Sequence, residues 1–315
     1  MTDSVNTSPA PAQPKGWKAS DSAVKRAFAK SRLVQAATAV MALLVFATVF
    51  APWLALHNPF DPGSLDLIDA FTPVWSQGMG EMFYPLGADD QGRDVYSAIL
   101  YGLRMSVFVG VAAVVLSLII GVPLGLIAGY AGGWFDTLLM RIADVQLTFP
   151  VILVALLIFG IARGVLPEGY RDEMAVLVII IAIALSDWVQ YARTVRGAVM
   201  VEKQKDYVLA AQLIGRSKTA ILTKHILPNM LAPILVIATI SFAQAIVAES
   251  TLSYLGVGLP PTSPSLGTLI RIGQSFLFSG EWWILLFPSL VLLALALSVN
   301  LVGDWLRDAL NPKLQ

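Results

Sequence analysis

The sequence predicts an all-α integral membrane protein with six transmembrane helices, and three observations carry that prediction. Of 315 residues, 57% are hydrophobic and 13% are charged, about half the charged share of roughly 25% that is usual in soluble domains. Apolar stretches long enough to cross a bilayer recur along the chain, without the polar alternation of a membrane-barrel strand. Sixteen of the 21 Lys and Arg residues fall on one side of six crossings and five on the other, the asymmetry that the positive-inside rule expects.

Residues 1–32 are rich in Pro, Ala, Ser and Lys and contain no apolar run. They read as a basic cytoplasmic tail leading into an uncleaved signal anchor, because a cleavable signal places its short apolar stretch nearer the start. The apolar stretches are 33–56, 105–130, 145–162, 174–189, 230–248 and 283–302. Between the first two, 57–104 forms a loop carrying Asp61, Asp66, Asp69, Glu81, Asp89, Asp90 and Asp94, which suits the outer face. The membrane core is 105–302, and 303–315 is a second cytoplasmic tail.

What the chain lacks narrows its chemistry. With no cysteine it forms no disulfide and no thiolate metal site, and His57 and His225 are too separated to build a metal cluster. A formal net charge of zero offers no global field for nucleic acid. Asp187 is the one ionisable residue inside the six stretches, which argues against a proton-coupled carrier; sodium coupling through backbone carbonyls stays open. Beside Trp188, Asp187 reads as an interfacial anchor, with a substrate ligand as the alternative. Gly87 and Gly92 have the spacing of a phosphate loop, but Arg93 and Asp94 stand where Lys and Ser or Thr are required, and three aspartates would repel phosphate.

Two patterns stand out. Gly121, Gly125 and Gly129 form a small-residue face at four-residue spacing that permits close helix contact, either packing within the chain or bordering a pathway. The second is a connector of roughly 40 residues, 188–229, far longer than a turn needs. On a helix, Tyr207, Ala210, Ala211 and Ile214 fall on one apolar face. Gly215 supplies the left-handed turn that ends that helix. A second amphipathic segment then runs from Ser217 to Ile226, and Pro228 stops it.

Ala210, Ala211, Gly215, Leu227 and Pro228 match the spacing of the coupling loop of ATP-binding cassette (ABC) importer permeases, E-A-A-x3-G-x9-I-x-L-P. Leu209 stands at the Glu position and His225 at the Ile position, so a salt bridge made by that Glu does not carry over. Segments 86–106, 129–141, 249–267 and 303–312 also resemble markers of the dipeptide, oligopeptide and nickel branch, and within it the second, C-type membrane subunit. The resemblance implies a type I importer permease fold with a cytoplasmic coupling helix, in which Asp206, Tyr207, Ala210, Ala211, Gly215, His225, Leu227 and Pro228 form the ATPase-coupling loop.

It further implies a chain with no catalysis and no cofactor of its own, lying in membrane lipid of the bacterial inner membrane with both termini cytoplasmic. It would form half of the pathway for di- or oligopeptides. Its partners would be a second homologous permease, a periplasmic substrate-binding protein and two cytoplasmic ATPases, which bind ATP and Mg. The same machinery importing nickel or another small solute is the alternative, and a secondary transporter a more distant one. Glu249 and the turn Leu259, Pro260, Pro261 read as a folding device beneath the fifth span or as part of an outer gate.

Overall fold

The structure, a computed structural model, describes residues 28–29, 31–61, 67–260 and 263–309. Most of the basic tail, Asp66, Pro261 and the last residues of the chain lie outside them. Helix α1 (Arg32–Val49) starts at Ser31, whose hydroxyl accepts from the Val34 N–H. Pro52 then begins the single turn α2 (Ala51–Leu54), a position where its missing N–H costs nothing.

The acidic loop that follows is ordered. Strands β1 (Ser76–Gln77) and β2 (Phe83–Tyr84) pair antiparallel, with Ser76 opposite Tyr84. Asp69, 2% exposed, accepts from the Gly80 N–H at 3.1 Å and the Tyr84 hydroxyl at 3.0 Å. Gly87 and Gly92 take positive φ, and the turn between them is filled by the Asp89 carboxylate, which accepts from the Gln91 and Arg93 N–H groups and pairs with the Arg93 guanidinium at 2.6 Å. The N–H groups of a phosphate cradle are thus spent on the loop's own acid. Burial, and then the neighbouring Asp89, pushes the Asp90 carboxyl up from its ordinary range.

Asp94 caps α3 (Val95–Ala131), accepting from the Tyr96 and Ser97 N–H groups. The helix therefore begins ten residues before the apolar stretch at 105, because the cap, and not hydropathy, sets its start. The third stretch, 145–162, is broken. Helices α4 (Gly133–Leu147) and α5 (Val151–Val165) meet at 97°. Pro150, which lacks the N–H of a continuing helix and disfavours helical geometry at the residue before it, separates them.

Helix α6 (Arg171–Glu202) runs thirteen residues past 189, so most of the front of the expected connector is helical. Arg193 and Arg196 mark where the apolar surface ends while the backbone continues. Three short elements follow: α7 (Asp206–Leu213), α8 (Lys218–Ala220) and a π turn over Ile221–Ile226. The π turn feeds directly into α9 (Leu227–Tyr254). Pro228 does not stop the second segment, as its position in the sequence suggests; the wide turn accommodates a ring that would strike the carbonyl four residues back in an α-helix. Helices α10 (Leu266–Phe276) and α11 (Trp283–Ala309) complete the described residues.

Among the described residues, five helical runs are long and apolar enough to cross a membrane, or six if the bent α4 and α5 count as one span. The most extensive pairing is between α3 and α6. Val109, Ala113, Ile179, Ile183 and Leu252 are buried where α3, α5, α6 and α9 meet, while Ile99, Leu103, Ile246, Leu266 and Leu295 join α3, α9, α10 and α11.

Candidate functional site

The connector is held rigidly at one end of the bundle. Gly215 sits at φ +73°, and two backbone bonds close the turn around it: the Arg216 N–H donates to the Ala211 carbonyl at 3.1 Å and the Gly215 N–H to the Gln212 carbonyl at 3.0 Å. This six-to-one, five-to-two pair is the glycine-terminated helix end that the sequence suggests. Ser217 then caps α8, accepting from the Ala220 N–H.

Tyr207 is the centre of the polar anchoring. Its hydroxyl donates to the Glu202 carboxylate and accepts from the Asn229 amide at 3.1 Å. The same Asn229 amide donates to the His225 carbonyl in the π turn at 2.8 Å. Lys205 pairs with Glu202 at 2.6 Å, and the Lys203 ammonium donates to the Gly129 carbonyl at the end of α3 at 2.8 Å. Burial, and after it the Glu202 bond, pushes the Tyr207 phenol up to about 12. The Glu202 and Asn229 contacts are not visible in the local spacing, since they join residues on either side of α7.

The apolar surface of α7 is arranged differently from the single stripe expected. Val208 (0% exposed) and Ala211 (3%) turn inward onto Leu126, Val195, Ile221 and Ile226. Ala210 is exposed, with Leu209, Leu213 (89% exposed) and Ile214 (75%) on the outer side. The stripe thus splits: Tyr207 and Ala211 are held by the chain's own core, whereas Ala210 and Ile214 lie open. Asp206 is exposed in the first turn, His225 is half-buried in the π turn, and Leu227 and Pro228 open α9.

The three glycines line the α3 face against α6. A Cβ at Gly121 would lie 2.5 Å from the Trp188 carbonyl oxygen, at Gly125 2.5 Å from that of Ala192, and at Gly129 2.8 Å from that of Arg196. Small residues every four positions on one helix meet backbone every four positions on the other. On its other side α6 is tied to α4, by Arg196 to Asp136 and by Arg193 to Asp144 at 3.6 Å.

Asp187, expected as an interfacial anchor, is buried. It lies midway along α6, 4% exposed, and borders a cleft in the bundle. Glu249, expected beneath the fifth span, is inside α9 and fully buried. It accepts from Ser106 at 2.9 Å, Ser253 at 2.7 Å and Ser250 at 3.4 Å, while Ser106 in turn accepts from the Leu266 N–H. One carboxyl group thereby ties α3, α9 and the start of α10. That role is hidden in the sequence because the helix outlasts its hydrophobic run.

Residues 121–315 match the family described as binding-protein-dependent transport system inner membrane component. The chain belongs to that family. The match contains the glycine face of α3, the α6 backbone it meets and the whole connector. Relatives of the permease include the di/tripeptide transport system permease protein DppC of Pseudomonas aeruginosa, 38% identical over 87% of this chain and 86% of that one. The dipeptide transport system permease protein DppC of Haemophilus influenzae is 37% identical over 87% and 88%, and the oligopeptide transport system permease protein OppC of Bacillus subtilis 37% over 91% and 88%. The permease is a multi-pass, all-α membrane subunit of a transport system.

Proposed function

We infer that this permease forms half of a peptide-importing ABC transporter, with a second homologous permease as the other half. Peptides are the substrate because relatives that align with nearly the whole permease carry that function in their names. An external binding protein delivers the peptide, and two cytoplasmic ATPases on separate chains bind ATP and Mg. Both termini and the connector face the cytoplasm, on the distribution of basic residues.

The observation that carries the coupling role is the exposed apolar side of α7, where Leu209, Leu213 and Ile214 stand out from a helix tied to α3 through Gln212 and Tyr130 and to α6 through Tyr207 and Glu202. Exposed apolar side chains on a rigid mount are what a partner's groove takes hold of. The test is reconstitution in vesicles. Permease alone should hydrolyse no ATP; with its partner chains, hydrolysis should rise when peptide-loaded binding protein is added, and labelled dipeptide should accumulate. Nickel accumulation without peptide uptake would overturn the substrate, and turnover by the isolated permease would overturn the division of labour.

A further inference from the structure

A cleft of about 310 Å³ lies where α5, α6, α9 and α11 approach one another, open on the side of Gln244, Val247 and Asn300, which are exposed. Four polar side chains reach it from three of those helices: Asp187 and Gln190 from α6, Gln244 from α9 and Asn300 from α11. The rest of its lining, Val151 and Val247 among it, is apolar. Asp187 lies roughly 24 Å along α6 from its first residue, two residues short of the end of the 174–189 stretch but level with Gly121, which meets the Trp188 carbonyl well inside the 105–130 stretch. A carboxyl group at that depth is costly, and one kept there faces water or a ligand.

Nothing among the described residues occupies that carboxyl. Among the described residues it makes no hydrogen bond and no ion pair, and no Lys, Arg or His borders the cleft. The two arginines that follow on α6 are engaged elsewhere, Arg193 with Asp144 and Arg196 with Asp136. The amides of Gln190, Gln244 and Asn300 likewise make no bond within the described chain, and Gln244 and Asn300 are exposed. Amides exposed at this depth are costly against hydrocarbon and are suited to a polar passage. By contrast Glu249, also buried, has all its neighbours supplied by serines, so an empty acceptor is not a general feature of this bundle.

We propose that Asp187, with the side-chain oxygens of Gln190, Gln244 and Asn300, is a subsite in the membrane passage that receives a primary ammonium group of the transported solute. The chemistry selects this ligand. One carboxylate beside neutral amide acceptors matches a single positive charge with three N–H donors, and the described residues hold no cluster of three His, Asp or Glu for a metal ion. The volume suits a terminal residue better than a whole peptide, so the amino terminus enters and the remainder continues along the passage. This rests on the import reading above.

The permease has no native cysteine, so Val247→Cys places one thiol in the cleft while keeping all four polar groups. In the assembled transporter, with cysteine-free partner chains, the thiol is modified by cationic aminoethyl and by anionic sulfonatoethyl methanethiosulfonate. With Asp187 present the cationic reagent should be favoured by about tenfold or more, as a charged cleft concentrates its counter-ion. Asp187→Asn, which keeps the size of the group, should remove that preference. Ethylammonium, and a dipeptide with a free amino terminus, should slow modification; the N-acetylated dipeptide should not, and Asp187→Asn should erase the difference. Equal reagent preference in both backgrounds, or equal protection by free and acetylated peptides, overturns the subsite. Failure of the wild-type transporter to accumulate any peptide overturns the import reading instead, while the reagent preference and the protection by ethylammonium still decide the subsite.

Discussion

Gly125 holds α3 against the backbone of α6, and any side chain there meets the Ala192 carbonyl at 2.5 Å, with Val195 at 2.9 Å. Two packed helices must separate to admit it, so Gly125→Ala should destabilise the permease by about 1 to 3 kcal/mol, seen as a lower unfolding temperature in detergent. Gly160, on α5, faces open space, with nothing within 4 Å of where a methyl group would sit; Gly160→Ala should be neutral or gain about 0.5 to 1 kcal/mol from helix propensity. Equal effects at the two sites would show that the four-residue face does not set the helix contact. Tyr207→Phe removes a donor to a buried carboxylate and should cost about 1.5 to 3 kcal/mol. Because the folded phenol sits at about 12, above the ordinary 10, the stability it confers is whole below pH 10 and is lost as pH rises through 12. The deficit of Tyr207→Phe should therefore be constant from about pH 6 to about pH 9, as chemical denaturation at several pH values would reveal.

At the scale of the element, α7 is apolar on two sides, and the two sides should answer differently to the same change. Ala211→Glu puts a charge into the cluster of Leu126, Val195 and Ile226 and should lower the unfolding temperature. Leu213→Glu, at a position 89% exposed, should leave that temperature unchanged while reducing ATPase co-purification and binding-protein-stimulated hydrolysis. Full coupling in Leu213→Glu would remove the outer face as the docking surface. This division marks a limit of what a sequence discloses. The i, i+3, i+4, i+7 stripe correctly places a helix at Tyr207 to Ile214 and its end at Gly215, since both are local matters of period and φ. Which apolar side is covered depends on α6 and on α3, a segment far away in the chain, and no local pattern carries that. Helix ends are obscured in the same way: Asp94, Pro150 and the π turn fix them, whereas hydropathy reports only where lipid would stop.

For the whole molecule, orientation is open to a direct test. Met79 and Lys218 are exposed at opposite ends of the bundle, and each can carry the only cysteine. Met79→Cys should react with an impermeant maleimide in outer-permeabilised cells and Lys218→Cys only after lysis; the reverse pattern would invert the topology and detach the connector from the ATPases. The helical, membrane-spanning character of the chain is plain from composition and run length, which act residue by residue. The Glu249 junction is not, because it joins segments far apart in the chain, and the hairpin in the acidic loop is not, because strands of two residues are too short to carry an alternating pattern. The long run through the connector also has mechanical weight. From Lys218 to Tyr254 the backbone is helical for 37 residues without a loop, roughly 55 Å of rod, mounted beside the connector at one end and pinned through Glu249 to α3 and α10 near the other. A push on α7 would therefore reach the far side of the membrane along one continuous backbone, through the π turn at Ile221–Ile226 and past Pro233 within α9.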